Sequence, residues 1–117
     1  MNIEQFRNYC LSKTGTTEET PFGPTTLVFK VVGKLLDLRG LETFESINLK
    51  CDPERAMELR EKYDCVVPGY HMNKRHWNTV IMDGSISDEL ILEWIDHSYD
   101  LVVQGLSKQQ RGELEKL

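Results

Sequence analysis

TLVFKVVGKLLDLRG, residues Thr26 to Gly40, decides how this chain folds. It reads as a β-hairpin: two apolar runs joined by a two-residue Gly33-Lys34 turn of the type that begins with glycine. That turn sets Val32 opposite Leu35, Val31 opposite Leu36, Lys30 opposite Asp37, Phe29 opposite Leu38 and Val28 opposite Arg39. Cross-strand partners share a face, so Phe29, Val31, Leu36 and Leu38 pack together on one side. Lys30 then meets Asp37 on the other side as an opposite-charge pair. A slip of one residue would spoil both faces, so this register is the expected one.

The neighbouring segments extend the pattern. FESINLK, Phe44 to Lys50, alternates with Ile47 and Leu49 inward and Ser46, Asn48 and Lys50 outward. Asp52-Pro53 opens a helix, with the carboxylate as cap and proline at the first helical position; Ala56, Leu59 and Tyr63 form its apolar side. Trp77 to Met82 reads as a strand closed by Asp83-Gly84. Ser87 caps the longest helix, whose Leu90, Ile91, Trp94, Ile95, Ser98, Leu101, Val102 and Gly105 follow helical spacing. Upstream, Asn2 with Gln5 caps a first helix carrying Ile3, Phe6 and Cys10. It ends near Lys13, before a proline-held loop at Thr20 to Pro24. Ser107 with Gln110 opens a short extra helix over about 107–117.

Strands gathered mid-chain and covered by helices predict an α+β sandwich: one antiparallel sheet covered on one face by helices. The outer face of that sheet is expected to be polar and partly basic, with Lys30, Arg39, Ser46, Asn48 and Lys50.

At 117 residues the chain fits a single domain. The start, MNIEQFRNYCLSK, lacks the basic and apolar sequence of a secretory signal, and no apolar run approaches a membrane span. Cys10, Cys51 and Cys65 are odd in number and widely spaced, which suits reduced thiols in a cytosol. A net charge of −5 argues mildly against non-specific phosphate binding. The charge is uneven, however: Asp83 to Leu106 holds six acids and no Lys or Arg.

The opposite imbalance occurs in PGYHMNKRHWNTV, Pro68 to Val80, which has Lys74, Arg75, two histidines, a tyrosine and a tryptophan but no acid. Lys74 and Arg75 can neutralise phosphate, while Tyr70, His71, His76 and Trp77 offer stacking and hydrogen bonds. Asn73 and Asn78 can read base edges or simply hold the turn. The same composition also describes a solvated loop with Trp77 in the core. Cys65, His71 and His76 match no metal-ligand spacing, so no metal is expected. A Cys–His nucleophile pair, with His71 or His76 activating Cys51 or Cys65, lacks a glycine-rich turn to supply an oxyanion hole. The scattered glycines form no phosphate loop.

Four stretches carry a family likeness: "IEQFRNYCLSKTGTTEETPFGPTTLVFKVVGK", "SINLKCDPERA", "VVPGYHMNKRHWNTV" and "ELILEWIDHSYDLVV". In order, and over about residues 2–106, they resemble the MmcQ/YjbR family of small bacterial proteins. The resemblance implies a CyaY-like fold, the frataxin-type sandwich, and a double-wing motif for which such proteins are labelled DNA-binding. Frataxin's iron chemistry is associated with an acidic ridge on the first helix. Here that helix has Glu4 as its only acid beside Arg7 and Lys13, so iron does not carry over.

The expectation is therefore a non-enzymatic cytoplasmic domain, without cofactor or metal, that contacts DNA weakly and in a salt-sensitive way. Lys30, Arg39 and Lys50 on the sheet and His71, Asn73, Lys74, Arg75, His76 and Trp77 on the loop are its candidate contacts. The rival expectation is a small-ligand or protein-interaction module with a pocket around His71, Asn73, His76 and Trp77.

Overall fold

The computed structural model describes residues 1–21, 26–40, 45–70 and 72–117, with the backbone alone at 37–40. The elements run α1 (Ile3–Ser12), β1 (Thr16–Glu19), β2 (Thr26–Val31), β3 (Lys34–Gly40), β4 (Ser46–Lys50), α2 (Pro53–Lys62), β5 (Val66–Pro68), β6 (Trp77–Ile81), α3 (Asp88–Gln104) and α4 (Lys108–Glu115). The fold is α+β, as the strand and helix pattern predicts. Among the described residues, six strands form one antiparallel sheet in the order β1-β2-β3-β4-β6-β5.

The helix ends form where short-range chemistry places them. Asn2 and Gln5 make a reciprocal capping box, Asp52 caps α2 with Pro53 in its first turn, and Ser87 caps α3. Ser107 and Gln110 repeat the capping box at α4. One sheet face and the helices enclose Phe6, Phe29, Val31, Leu36, Ile47, Val80 and Ile95, all at or near zero exposure. Phe6 of α1 meets Phe29 of β2 edge-on, with centroids 5.7 Å apart. Tyr63, just past α2, meets Trp94 of α3 at 5.4 Å.

The hairpin forms, but its register departs from the expected one. The turn residues are Val32 and Gly33, both at positive φ (47° and 84°), so Val31 pairs with Lys34 and Lys30 with Leu35. This is the primed-turn geometry whose twist suits a hairpin, with glycine in its second place. A bulge follows, in which Leu36 is inserted between the pairs Lys30–Leu35 and Phe29–Asp37. The bulge keeps Leu36 in the core beside Phe29 and Val31 despite the shifted turn.

A β-branched residue rarely adopts positive φ, and here the contacts hold it. The Val32 N–H donates to the Gly15 carbonyl at 3.2 Å, and Gln110 Nε2 of α4 donates to the Val32 carbonyl at 3.2 Å. This register sets Asp37 opposite Phe29, where the sequence pattern placed it opposite Lys30. Lys30 bonds Glu19 of β1 at 2.9 Å. That strand, only four polar residues long, carries no period-2 apolar signal. Arg7 of α1 holds it through a two-pronged contact to Glu18, at 3.0 and 2.6 Å.

Candidate functional site

Because successive neighbours are antiparallel, three features meet at one end of the sheet. They are the Val32-Gly33 turn, Lys50 at the end of β4, and the connection from Gly69 to His76 between β5 and β6. Lys50 stands opposite Trp77 in the β4–β6 ladder.

The connection is held tightly at its base. The Gly69 N–H donates to the Trp77 carbonyl at 2.9 Å, and the Tyr70 N–H donates to Thr79 Oγ1 at 2.9 Å. Thr79 in turn donates to Asn48 Oδ1 at 2.5 Å, on the sheet face away from the helices. The Asn73 side chain accepts from the Arg75 N–H at 2.9 Å and so shapes the tip. The Cys51 N–H donates to the His76 carbonyl at 2.8 Å, tying the return strand to the start of α2.

Arg60 of α2 is the principal clamp. Its Nε donates to Asn78 Oδ1 at 2.6 Å, and one terminal nitrogen reaches the carbonyls of Trp77 (3.2 Å) and Lys74. Asn78 completes its bonding by donating to the Ala56 carbonyl at 3.3 Å. Sequence reading did not single out Arg60. The available signal was its place one turn after Ala56, on the side of α2 that faces the sheet. A charged residue there must bring its own hydrogen-bond partners.

This clamping leaves the tip's side chains in solvent. Tyr70 is 69% exposed, and Asn73, Lys74, Arg75 and His76 are exposed as well. Lys74 Nζ curls back to the Gly69 carbonyl at 3.2 Å. Among the described residues, no carboxylate lies within ion-pair distance of Arg60, Lys74 or Arg75.

The remaining candidates are distributed differently. Trp77 is buried, at 8% exposure, so it is not available to stack on a partner. Strand alternation turns Asn78 and Val80 toward the helices and Trp77 to the other face, where Gly69 packs close against it. Lys50 is half-buried at the site's edge. Lys30 shares this end of the sheet but is engaged by Glu19. Arg39 pairs in register with Leu27, not Val28, about 10 Å further along the strand from the Lys30–Leu35 pair. Its side chain and all of His71 lie outside the described residues.

A second set of reactive groups surrounds the start of α2. Cys51 and His97 share a cleft with Asn78, Leu59 and Trp94. Its free volume of about 10 Å³ barely accommodates one water. Burial pushes the Cys51 thiol up to about 11, which opposes the thiolate a nucleophile needs. Burial, reinforced by the nearby Arg55 charge, lowers the His97 pKa below its ordinary 6.5. Its Nε2 accepts from the Asp52 N–H at 3.3 Å, a bond that requires the neutral ring. Apolar burial therefore dominates the thiol's environment. Cys10, Cys51 and Cys65 are all buried thiols outside any disulfide. Among the described residues, no three His, Cys, Asp or Glu side chains converge as a metal site, and no helix is long and apolar enough to cross a membrane.

Comparison with known proteins places this architecture. The uncharacterised protein YbdF of Escherichia coli O157:H7 is 42% identical over 95 residues, covering 78% of this chain and 75% of YbdF. The uncharacterised protein YjbR of Escherichia coli K12 is 33% identical over 118 residues, covering all of both chains. Among solved structures, a Deinococcus radiodurans protein with a DUF419 domain matches with a TM-score of 0.89 and 38% identity, over 97% of this chain and 88% of that one. A Pseudomonas syringae protein matches with a TM-score of 0.74 and 32% identity, over 87% and 99%. The YjbR family model matches residues 11–101, from the end of α1 through most of α3, and the chain belongs to the YjbR family.

Proposed function

We propose that this protein is a non-enzymatic nucleic-acid-contacting domain whose β5–β6 connection docks on phosphates through Lys74 and Arg75. One observation carries the reading: a loop clamped at its base projects two adjacent cations with no carboxylate partner among the described residues. A clamped loop loses less entropy on binding than a free one. Lys50 and His76 flank the contact, and stacking falls to exposed Tyr70 because Trp77 is buried.

The sheet's topology supports a double wing. Two hairpin connections, at 32–33 and 69–76, leave the same sheet end about three strand spacings, roughly 14 Å, apart. The first carries exposed Lys34, but its tip is occupied by Gln110 of α4. The second wing therefore makes the main contact. Nothing favours the rival pocket around His71, Asn73, His76 and Trp77, since Asn73 is committed to its turn and Trp77 is buried.

Fluorescence anisotropy with labelled DNA at rising salt tests the proposal. Two phosphate contacts give a slope of log affinity against log salt of about −1.8. Reversing both charges, Lys74→Glu with Arg75→Glu, removes that dependence and most of the affinity. Binding that is unchanged by the reversal would overturn the assignment.

A further inference from the structure

A groove runs between α2 and the 69–76 connection, lined by Pro53, Glu54, Met57, Arg60, Lys74 and Arg75. Its volume of about 510 Å³ lies within the roughly 300–1,000 Å³ of ordinary ligand sites. Met57 is 62% exposed there, a large apolar side chain left uncovered beside three cations and one carboxylate. Arg60 is already held by Asn78 and by the carbonyls of Trp77 and Lys74, so that wall requires no ordering on binding.

We infer that this groove receives an unpaired base of the bound strand, so that the protein prefers single-stranded nucleic acid to duplex. The inference rests on the phosphate contact proposed above and extends it. Lys74 and Arg75 belong both to the exposed tip and to the groove. A nucleotide whose phosphate sits on them places its base over Pro53 and Met57. The groove suits a flat apolar face with a negative group beside it, and its net positive lining complements the phosphate. Glu54 can accept a hydrogen bond from an exocyclic amino group on the base edge. A duplex keeps its bases stacked and cannot enter without unpairing.

The test compares three labelled probes of equal length: a single-stranded oligonucleotide, an abasic sugar–phosphate oligomer and a duplex. Each is titrated with the intact protein and with Met57→Ser. Met57 is exposed, so the substitution leaves the fold intact, which circular dichroism checks. The expected result is roughly tenfold tighter binding of the single strand than of the abasic oligomer or the duplex, as burial of one base face on Pro53 and Met57 contributes. Met57→Ser removes most of that difference and leaves the salt slope unchanged. Equal affinity for single-stranded and abasic probes, or no effect of Met57→Ser, overturns the inference. The phosphate contact still stands in that case if reversing Lys74 and Arg75 abolishes binding of both probes. Equal competition by an acidic peptide assigns the groove to a protein partner and likewise overturns it. If no probe binds, both readings fall.

Discussion

His97 shows how one residue ties the start of α2 to the longest helix. Its neutral ring accepts the Asp52 N–H, and Asp52 is itself the cap of α2. Burial and Arg55 lower its pKa, while Asp52 and Asp100 partly oppose them. The unfolded chain therefore binds a proton before the native state does. The stability this group contributes is present above pH 6.5 and is lost as pH falls through the lowered native value. An NMR titration should place the His97 midpoint below 6.5. His97→Gln should flatten the acid side of the stability curve, and a midpoint at or above the ordinary value would contradict this account. His97 drew no attention in the sequence, because a lone histidine on an amphipathic helix has no local signature. Its partner is 45 residues away.

The β5–β6 hairpin depends on close backbone approach at Gly69. A Cβ at that position would lie 2.7 Å from Trp77 Cβ and 2.9 Å from the Trp77 carbonyl oxygen. Neither belongs to the far end of a flexible side chain, so Gly69→Ala must displace the strand that carries the loop. We expect a loss of about 1–3 kcal/mol, read from urea denaturation, together with weaker DNA binding from displacement of Lys74 and Arg75. Neutrality in both would show that the hairpin adapts freely. Only its second strand was legible, since Trp77 and its successors read as a strand; the three-residue β5 was too short to give a pattern. The approach of Gly69 to Trp77 was not, because it arises only once both strands are paired.

At the scale of the molecule, the buried cluster runs from Phe6 to Val102 and excludes α4. α4 buries no residue fully; it contributes half-buried Leu114 and Gln110 around Gly15 and Val32. Removing residues 107–117 should therefore leave a cooperatively folding protein. The lost contacts amount to about 1–3 kcal/mol, seen as a lower Tm in circular dichroism. Loss of the cooperative transition would mean that α4 is part of the folding core. The truncation also frees the Val32-Gly33 turn and the exposed Lys34 beside it.

The sequence by itself determined which segments become helices, where those helices are capped, and that strands and helices make an α+β sandwich. These outcomes rest on short-range physics: side-chain caps within three residues, the 3.6 and 2.0 periodicities, and the exclusion of proline from helix interiors. It also located the basic loop, because a run of cations without acids is visible without coordinates. Only the tertiary structure decided the hairpin register, where contacts from Gly15 and Gln110 hold Val32 at positive φ and a bulge returns Leu36 to the core. It likewise recruited a short polar strand to the sheet edge through Arg7 and Glu18. It buried Trp77 and made Arg60 the clamp of the loop, since both depend on partners that packing brings in from elsewhere in the chain.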